Sequence, residues 1–350
     1  MRSEKLDRAY KSLMIIVIVI LAIHFAGNLI MPILFSGLIS IILVPFADFL
    51  ESKKLPRGFA AVLTVGTATT LLFGLVLIIS VQSQEIVKEV PRLIEDRLSK
   101  IDVQEIQVKS EPILTYINEH VTTIEESIER AKSIGVKLVR TWLIGIKDAF
   151  LFLILCPIYV FFMLLCREHI FRFIMGFHVQ QEEDEQNAKK LIFEVKSSIF
   201  HYLKGLFIIM TISGTCTFLG LYFVGIEFAL FLGVLTAILT PIPYIGVTIS
   251  ALIPILLALF TKDSFWYVGG VLLVFAIVQF NENYVLIPRI MGKSVNVNPL
   301  IIVLSLILFG ALTGVIGMIL TVPLLAVTKV VISHYPHLKP WNYLLEDKLS

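Results

Sequence analysis

Charge is missing from long stretches of this chain, and those gaps mark out its elements. Residues 12–47, 228–261, 264–281 and 294–328 contain no Asp, Glu, Lys or Arg. A helix crosses the ~30 Å hydrocarbon layer of a bilayer with about 20 apolar residues, so 12–47 is too long for one crossing. Pro32 and Gly37 interrupt it, which predicts two helices over 12–31 and 33–50 joined by a tight turn. Further spans are expected over 58–80, 149–166, 206–224 and 264–287.

The two remaining charge-free stretches are each broken halfway. Thr240-Pro241-Ile242-Pro243-Tyr244-Ile245-Gly246 interrupts 228–261, and Gly310, Gly314 and Gly317 interrupt 294–328. Proline and glycine disfavour a continuous helix. Backbone freed at membrane depth is tolerated only where protein or a water-filled cavity satisfies it. Both stretches are therefore expected to be helical hairpins or re-entrant pairs. Each follows an ordinary span, and counting crossings places the two units in opposite orientation. Inverted repeats with interrupted helices mark transporters, with substrate bound where the breaks meet.

The polar part of the chain has its own periodicity. Ile86, Val90, Leu93, Ile94, Leu98 and Ile101 recur at helical spacing, and Leu114, Ile117, Val121, Ile124, Ile128 and Ala131 form a heptad-like seam. That seam either packs on its neighbour over 84–101 or meets the same seam in other copies of a homo-oligomer. Leu191, Val195, Ile199 and Leu203 share one face of a basic segment, which suits an amphipathic helix lying against the membrane surface.

Composition agrees with this pattern. The chain is 57% hydrophobic and 16% charged, with a mean hydropathy of +0.88, whereas a soluble domain carries about 25% charged residues. A soluble enzyme, a secreted disulfide scaffold and a disordered regulator are excluded. The expected fold class is all-α: a polytopic helical membrane protein of about eight membrane segments, two of them broken hairpins, plus an extracytoplasmic helical segment. The expected organisation is three N-terminal helices over 1–81, the extracytoplasmic segment over 82–148, a fourth span with the surface helix over 149–205, a transport core over 206–333 and a tail over 334–350.

Lysine and arginine collect in short cytoplasmic loops. The basic N-terminal flank and the 51–57 loop therefore put both, and with them the C-terminal tail, on the cytoplasmic side of a multi-pass membrane protein. A net charge of +2 offers no field for nucleic acid. Cys156, Cys166 and Cys216 lie in or beside apolar runs without a paired spacing, and they read as packing residues. No catalytic group, metal site or cofactor motif is evident. The missing phosphate-binding loop means that uphill transport has to run on an ion gradient rather than ATP.

Glu282 is the foremost candidate residue. It follows a charge-free run, in the sequence Gln279-Phe280-Asn281-Glu282-Asn283. An ionisable group within a membrane costs ~2.5–3.5 kcal/mol on insertion scales and marks a pathway or proton site. Gln279, Asn281 and Asn283 could hydrogen-bond it or hold a cation or small polar solute with it; the alternative is a Glu that merely ties helices together. Glu227 is expected to have a structural role in an outer turn. A transporter should hold Glu282 and both breaks beside an aqueous cavity, whereas a non-transporting scaffold would pack them dry or face them to lipid.

The run Pro241-Ile-Pro-Tyr-Ile-Gly246 resembles a hallmark of the autoinducer-2 exporter family of bacterial membrane proteins. So do Gln279 and Glu282-Asn283, then Pro288-Arg-Ile-Met-Gly292-Lys293, Asn298-Pro299-Leu300 and the series Gly310, Gly314, Gly317, Pro323. The resemblance implies an oligomeric secondary carrier. It exports an autoinducer-2-like solute or, in other relatives, exchanges Na⁺ or Li⁺ for protons. Pro241, Pro243 and Gly246 would hinge the first hairpin, and Gly310, Gly314 and Gly317 the second. Asn298 stands where family members often carry histidine.

Overall fold

The computed structural model describes Met14, Gly27 and residues 30–100, 154–176, 182–291, 297–335 and 338–346. Most of the expected helix over 12–31 and all of the seam over 114–131 fall outside these. The described residues form an all-α membrane protein: five helices are long and apolar enough to cross a membrane, or six if one bent pair counts as a span.

Helix α1 (Ile30–Ser52) runs straight through the positions where a turn is expected. Pro32 and Gly37 are both helical. A lone proline removes one backbone hydrogen bond and a lone glycine costs about 1 kcal/mol against alanine. Burial of Met31 and Leu38 offsets this, since each large apolar side chain contributes about 1.5–3 kcal/mol. Helix α2 (Arg57–Lys100) continues unbroken from the membrane into the polar segment. Helix α3 (Ile154–Leu165) bends by 72° into α4 (Arg167–Gly176), and Ala47, Ala61, Val160 and Leu164 lock α1, α2 and α3 together.

An ionic tie holds that bend. Arg167 bridges Asp48 at 2.6 Å and Glu51 at 2.8 Å, and Arg57 pairs with Glu168 at 3.0 Å. Arg167→Ala should release the loop between α1 and α2, and tryptic cleavage after Lys53 or Lys54 should accelerate several-fold.

Helix α5 (Glu182–Val224) is the spine of the molecule. Its 43 residues span ~65 Å at 1.5 Å per residue, about twice the hydrocarbon thickness. The apolar face of 191–203 therefore belongs to a continuous helix, not to a separate one lying on the membrane. Ile199, Val195 and Leu203 pack against Met31, Leu38 and Leu320, so protein rather than lipid covers the stripe.

The first broken stretch is a hairpin of α6 (Ala229–Leu239) and α7 (Ile245–Thr261). Leu221, Leu232, Ala258, Val271 and Phe275 bury it between the Val224 end of α5 and α8 (Phe265–Asn281). Glu227 sits in the turn before it and pairs with Lys262 at 2.6 Å, as expected of a structural residue.

The second stretch, α9 (Pro299–His334), also doubles back. Gly314 has φ 69° and ψ −150°, a conformation foreign to a helix. Gly310 lies against Met318, and Gly317 against the Phe309 carbonyl. Residues eight apart would be ~12 Å apart along a straight helix, so the arms 299–313 and 315–334 lie side by side. Asn298 caps the first arm, accepting a hydrogen bond from Leu300 N at 2.9 Å. Helix α10 (Lys339–Leu345) packs at its base through Leu345, Val297 and Leu325.

Candidate functional site

The two hairpins enter from opposite ends of α5 and stop at one depth. Gly214 meets Gly233 and Ala237, so the turn 240–244 falls just past Gly214. At the other end His334 pairs with Glu194, and Val322 clusters with Tyr202 and Ile209. This antiparallel register brings Gly314 to the level of Ser213 and Gly214. Ser213 is eleven residues from Val224, or ~16 Å at helical rise, which is about half the ~30 Å hydrocarbon layer.

Glu282 occupies the same level. Val274 lies against Gly220, and Met291 and Ile290 against Gly205. Helix α8 thus runs antiparallel to α5 and delivers Glu282 to Ser213. Ser213 Oγ donates a hydrogen bond to Glu282 Oε2 at 2.9 Å. Both are buried, at 1% and 8% exposure. One turn along α5, Thr217 is fully buried, and its Oγ1 has no hydrogen-bond partner among the described residues. A carboxylate and two hydroxyls thus stand together at the level of the hairpin tips, one hydroxyl without a hydrogen-bond partner among the described residues.

The backbone changes pitch at Glu282. From Glu282 to Met291 the chain is a π-helix containing Pro288; such wide turns are rare and recur at functional sites. Asn281 and Asn283 are exposed on the flanks and Gln279 is half-buried, so the structure does not gather the three amides around the carboxylate. Its hydrogen bond comes instead from Ser213, whose place among Gly214, Thr215 and Thr217 reads in sequence as close packing. The signal was there: Ser213 and Thr217 are four apart, on one helix face.

Pro241 and Pro243 lie in the first turn, where Tyr244 takes φ 62° and ψ −55°. Positive φ in a bulky residue is strained. A Cβ on Gly246 would overlap the Leu239 carbonyl, so only glycine admits this turn. Gly310, Gly314 and Gly317 form the opposing tip, and Gly27 lies beside Thr313 there.

Glu282 is set apart from the two best-formed cavities among the described residues. One of about 410 Å³ lies between α5 and the second arm of α9, and one of about 50 Å³ lies at the base of the first hairpin. Glu282 lines neither. Among the described residues no group of three or more His, Cys, Asp or Glu is assembled that could hold a metal ion.

The model of the AI-2E family transporter matches residues 13–337. The chain is 27% identical to "Putative transport protein YhhT" of Escherichia coli (strain K12), over 90% of this chain and 87% of that protein. It is 26% identical to "Putative transport protein YrrI" of Bacillus subtilis (strain 168), over 87% and 86% of the two chains. It is also 26% identical to "AI-2 transport protein TqsA" of Escherichia coli (strain K12), over 90% and 88%.

Proposed function

The chain belongs to the AI-2E family of transporters, and from that premise we propose that it exports a small polar, autoinducer-2-like solute across the bacterial cell membrane, driven by an ion gradient. The observation that carries this reading is the buried Glu282–Ser213 pair at mid-membrane, level with both hairpin tips. Two short arms meeting a broken helix at the midplane are the layout in which rocking of one half exposes a site alternately to either side.

Glu282, Ser213 and Thr217 form the binding set, and the hairpin turns at Pro241, Pro243 and Gly246 and at Gly310, Gly314 and Gly317 move over it. Asn281, Asn283 and Gln279 join the set only once a hairpin shifts and the flanks of Glu282 open to solute. On this reading the burial of Glu282 corresponds to a closed state, with the pathway shut at the midplane. The basic loops set the N- and C-termini on the cytoplasmic side. Helix α2 is only 6% buried over its apolar window, which leaves surface for lipid and for other copies in a homo-oligomer.

A second reading is exchange of Na⁺ or Li⁺ for protons, favoured by the donor set itself, because a carboxylate with hydroxyl oxygens suits a hard monovalent cation. Flux in proteoliposomes under an imposed pH gradient separates the two, with autoinducer-2-like sugars in one arm and Na⁺ or Li⁺ in the other. Sugar efflux that needs the gradient supports export. Cation flux without sugar flux supports antiport, and no flux of either contradicts both.

Ser213→Ala should slow the supported flux about fivefold while leaving the protein folded, because one buried hydrogen bond contributes about 1 kcal/mol.

A further inference from the structure

We propose that the 410 Å³ crevice between α5 and the second arm of α9 is a second binding site, a loading vestibule for small uncharged polyhydroxylated solutes. Phe193, Glu194, Ser197, Ser198, His201 and Val330 line it. As a vestibule it rests on the transport reading; as a binding site it stands on its own lining.

Depth puts the crevice in water. His201 is twenty-three residues from Val224, or ~34 Å along α5, beyond a ~30 Å hydrocarbon layer. On the proposed topology this is the cytoplasmic end, where an exported solute would load. Its volume lies within the ~300–1,000 Å³ of small-molecule sites. The 50 Å³ cavity at the opposite end, beside Lys262 and Ser264, is too small for such a ligand.

The lining chemistry selects the ligand. Glu194 brings acceptor oxygens. His201 Nδ1 lies 2.7 Å from the Ser197 carbonyl and 3.2 Å from the Ser197 hydroxyl, and the Nδ1–H tautomer that donates to that carbonyl leaves Nε2 as an acceptor. The Ser197 and Ser198 hydroxyls both donate and accept. A wall rich in acceptors suits a ligand that brings several O–H donors, with the Phe193 ring as an apolar side. An anion such as a lipid phosphate would meet Glu194 and no lining cation. A cation would have to share Glu194 with His334, whose Nε2 lies 3.6 Å from Glu194 Oε2.

The test uses the full chain with Cys156, Cys166 and Cys216 replaced by alanine. Ser197→Cys and Ser198→Cys are made separately, so that one misfolded variant does not end the experiment. Each is modified in inside-out vesicles with a membrane-impermeant trimethylammonium methanethiosulfonate. Ribose should slow modification at least threefold in one or both variants, choline and glycerol 3-phosphate should not, and adding Glu194→Gln or His201→Phe should remove the protection. Absence of protection by ribose in both variants, or equal protection by choline or glycerol 3-phosphate, overturns the proposal. Flux measured on the unsubstituted chain keeps the two ideas apart. Protection without flux upholds the site and removes the transport reading, whereas flux without protection removes the site alone.

Discussion

Gly314→Ala should collapse transport by at least tenfold while the helices remain. With φ 69° and ψ −150°, Gly314 occupies a region that is essentially glycine-only, and a side chain there costs about 1–3 kcal/mol. The cheapest relief is to straighten α9, which would pull Gly310 from Met318 and Gly317 from Phe309 and remove the second tip from the level of Glu282. Gly246→Ala should do the same to the first hairpin, since its Cβ would overlap the Leu239 carbonyl. Gly66→Ala and Gly74→Ala on α2 supply the control. A Cβ there meets nothing within 4 Å, so alanine should be neutral or stabilise by up to about 1 kcal/mol. Thermal unfolding and flux on the four variants check the contrast. Equal behaviour of all four would remove the hairpin tips from the mechanism.

Glu282→Gln carries the second large effect. The amide keeps the size of the side chain and can still accept the Ser213 hydrogen bond, so folding and surface expression should be preserved. What disappears is the charge at mid-membrane. Flux should fall at least tenfold, more than the fivefold expected of Ser213→Ala, because the hydroxyl only supports the group that binds. Glu282→Asp, which keeps the charge but withdraws it from Ser213, should retain partial flux.

The two hairpins were legible because their breakers act together. Pro241, Pro243 and Gly246 lie within six residues of one another, and Gly310, Gly314 and Gly317 span eight, so no register of a straight helix accommodates either set. Pro32 and Gly37 stood alone and were outweighed by packing of α1. The stripe over 191–203 was equally visible, but an apolar face does not say whether lipid or protein will cover it. Here Met31, Leu38 and Leu320 do.

At the site, Glu282 was conspicuous because charge is so scarce around it. Its partners were not. Asn281 and Asn283 are next to it in sequence, yet successive residues on a helix turn by ~100° and face apart. Ser213 lies on another helix, sixty-nine residues away, at a contact set by the glycine approaches of α5 to α8. The π-helix from Glu282 to Met291 had no local signature beyond Pro288.

Proton movement coupled to solute is the most direct test of the central claim. Proteoliposomes loaded with a pH-sensitive dye and an autoinducer-2-like sugar should show a change of internal pH when the sugar is allowed to leave. The change should vanish in Glu282→Gln. A sugar efflux that moves no protons and no Na⁺ or Li⁺, or one that Glu282→Gln leaves intact, would contradict an ion-coupled carrier built around Glu282.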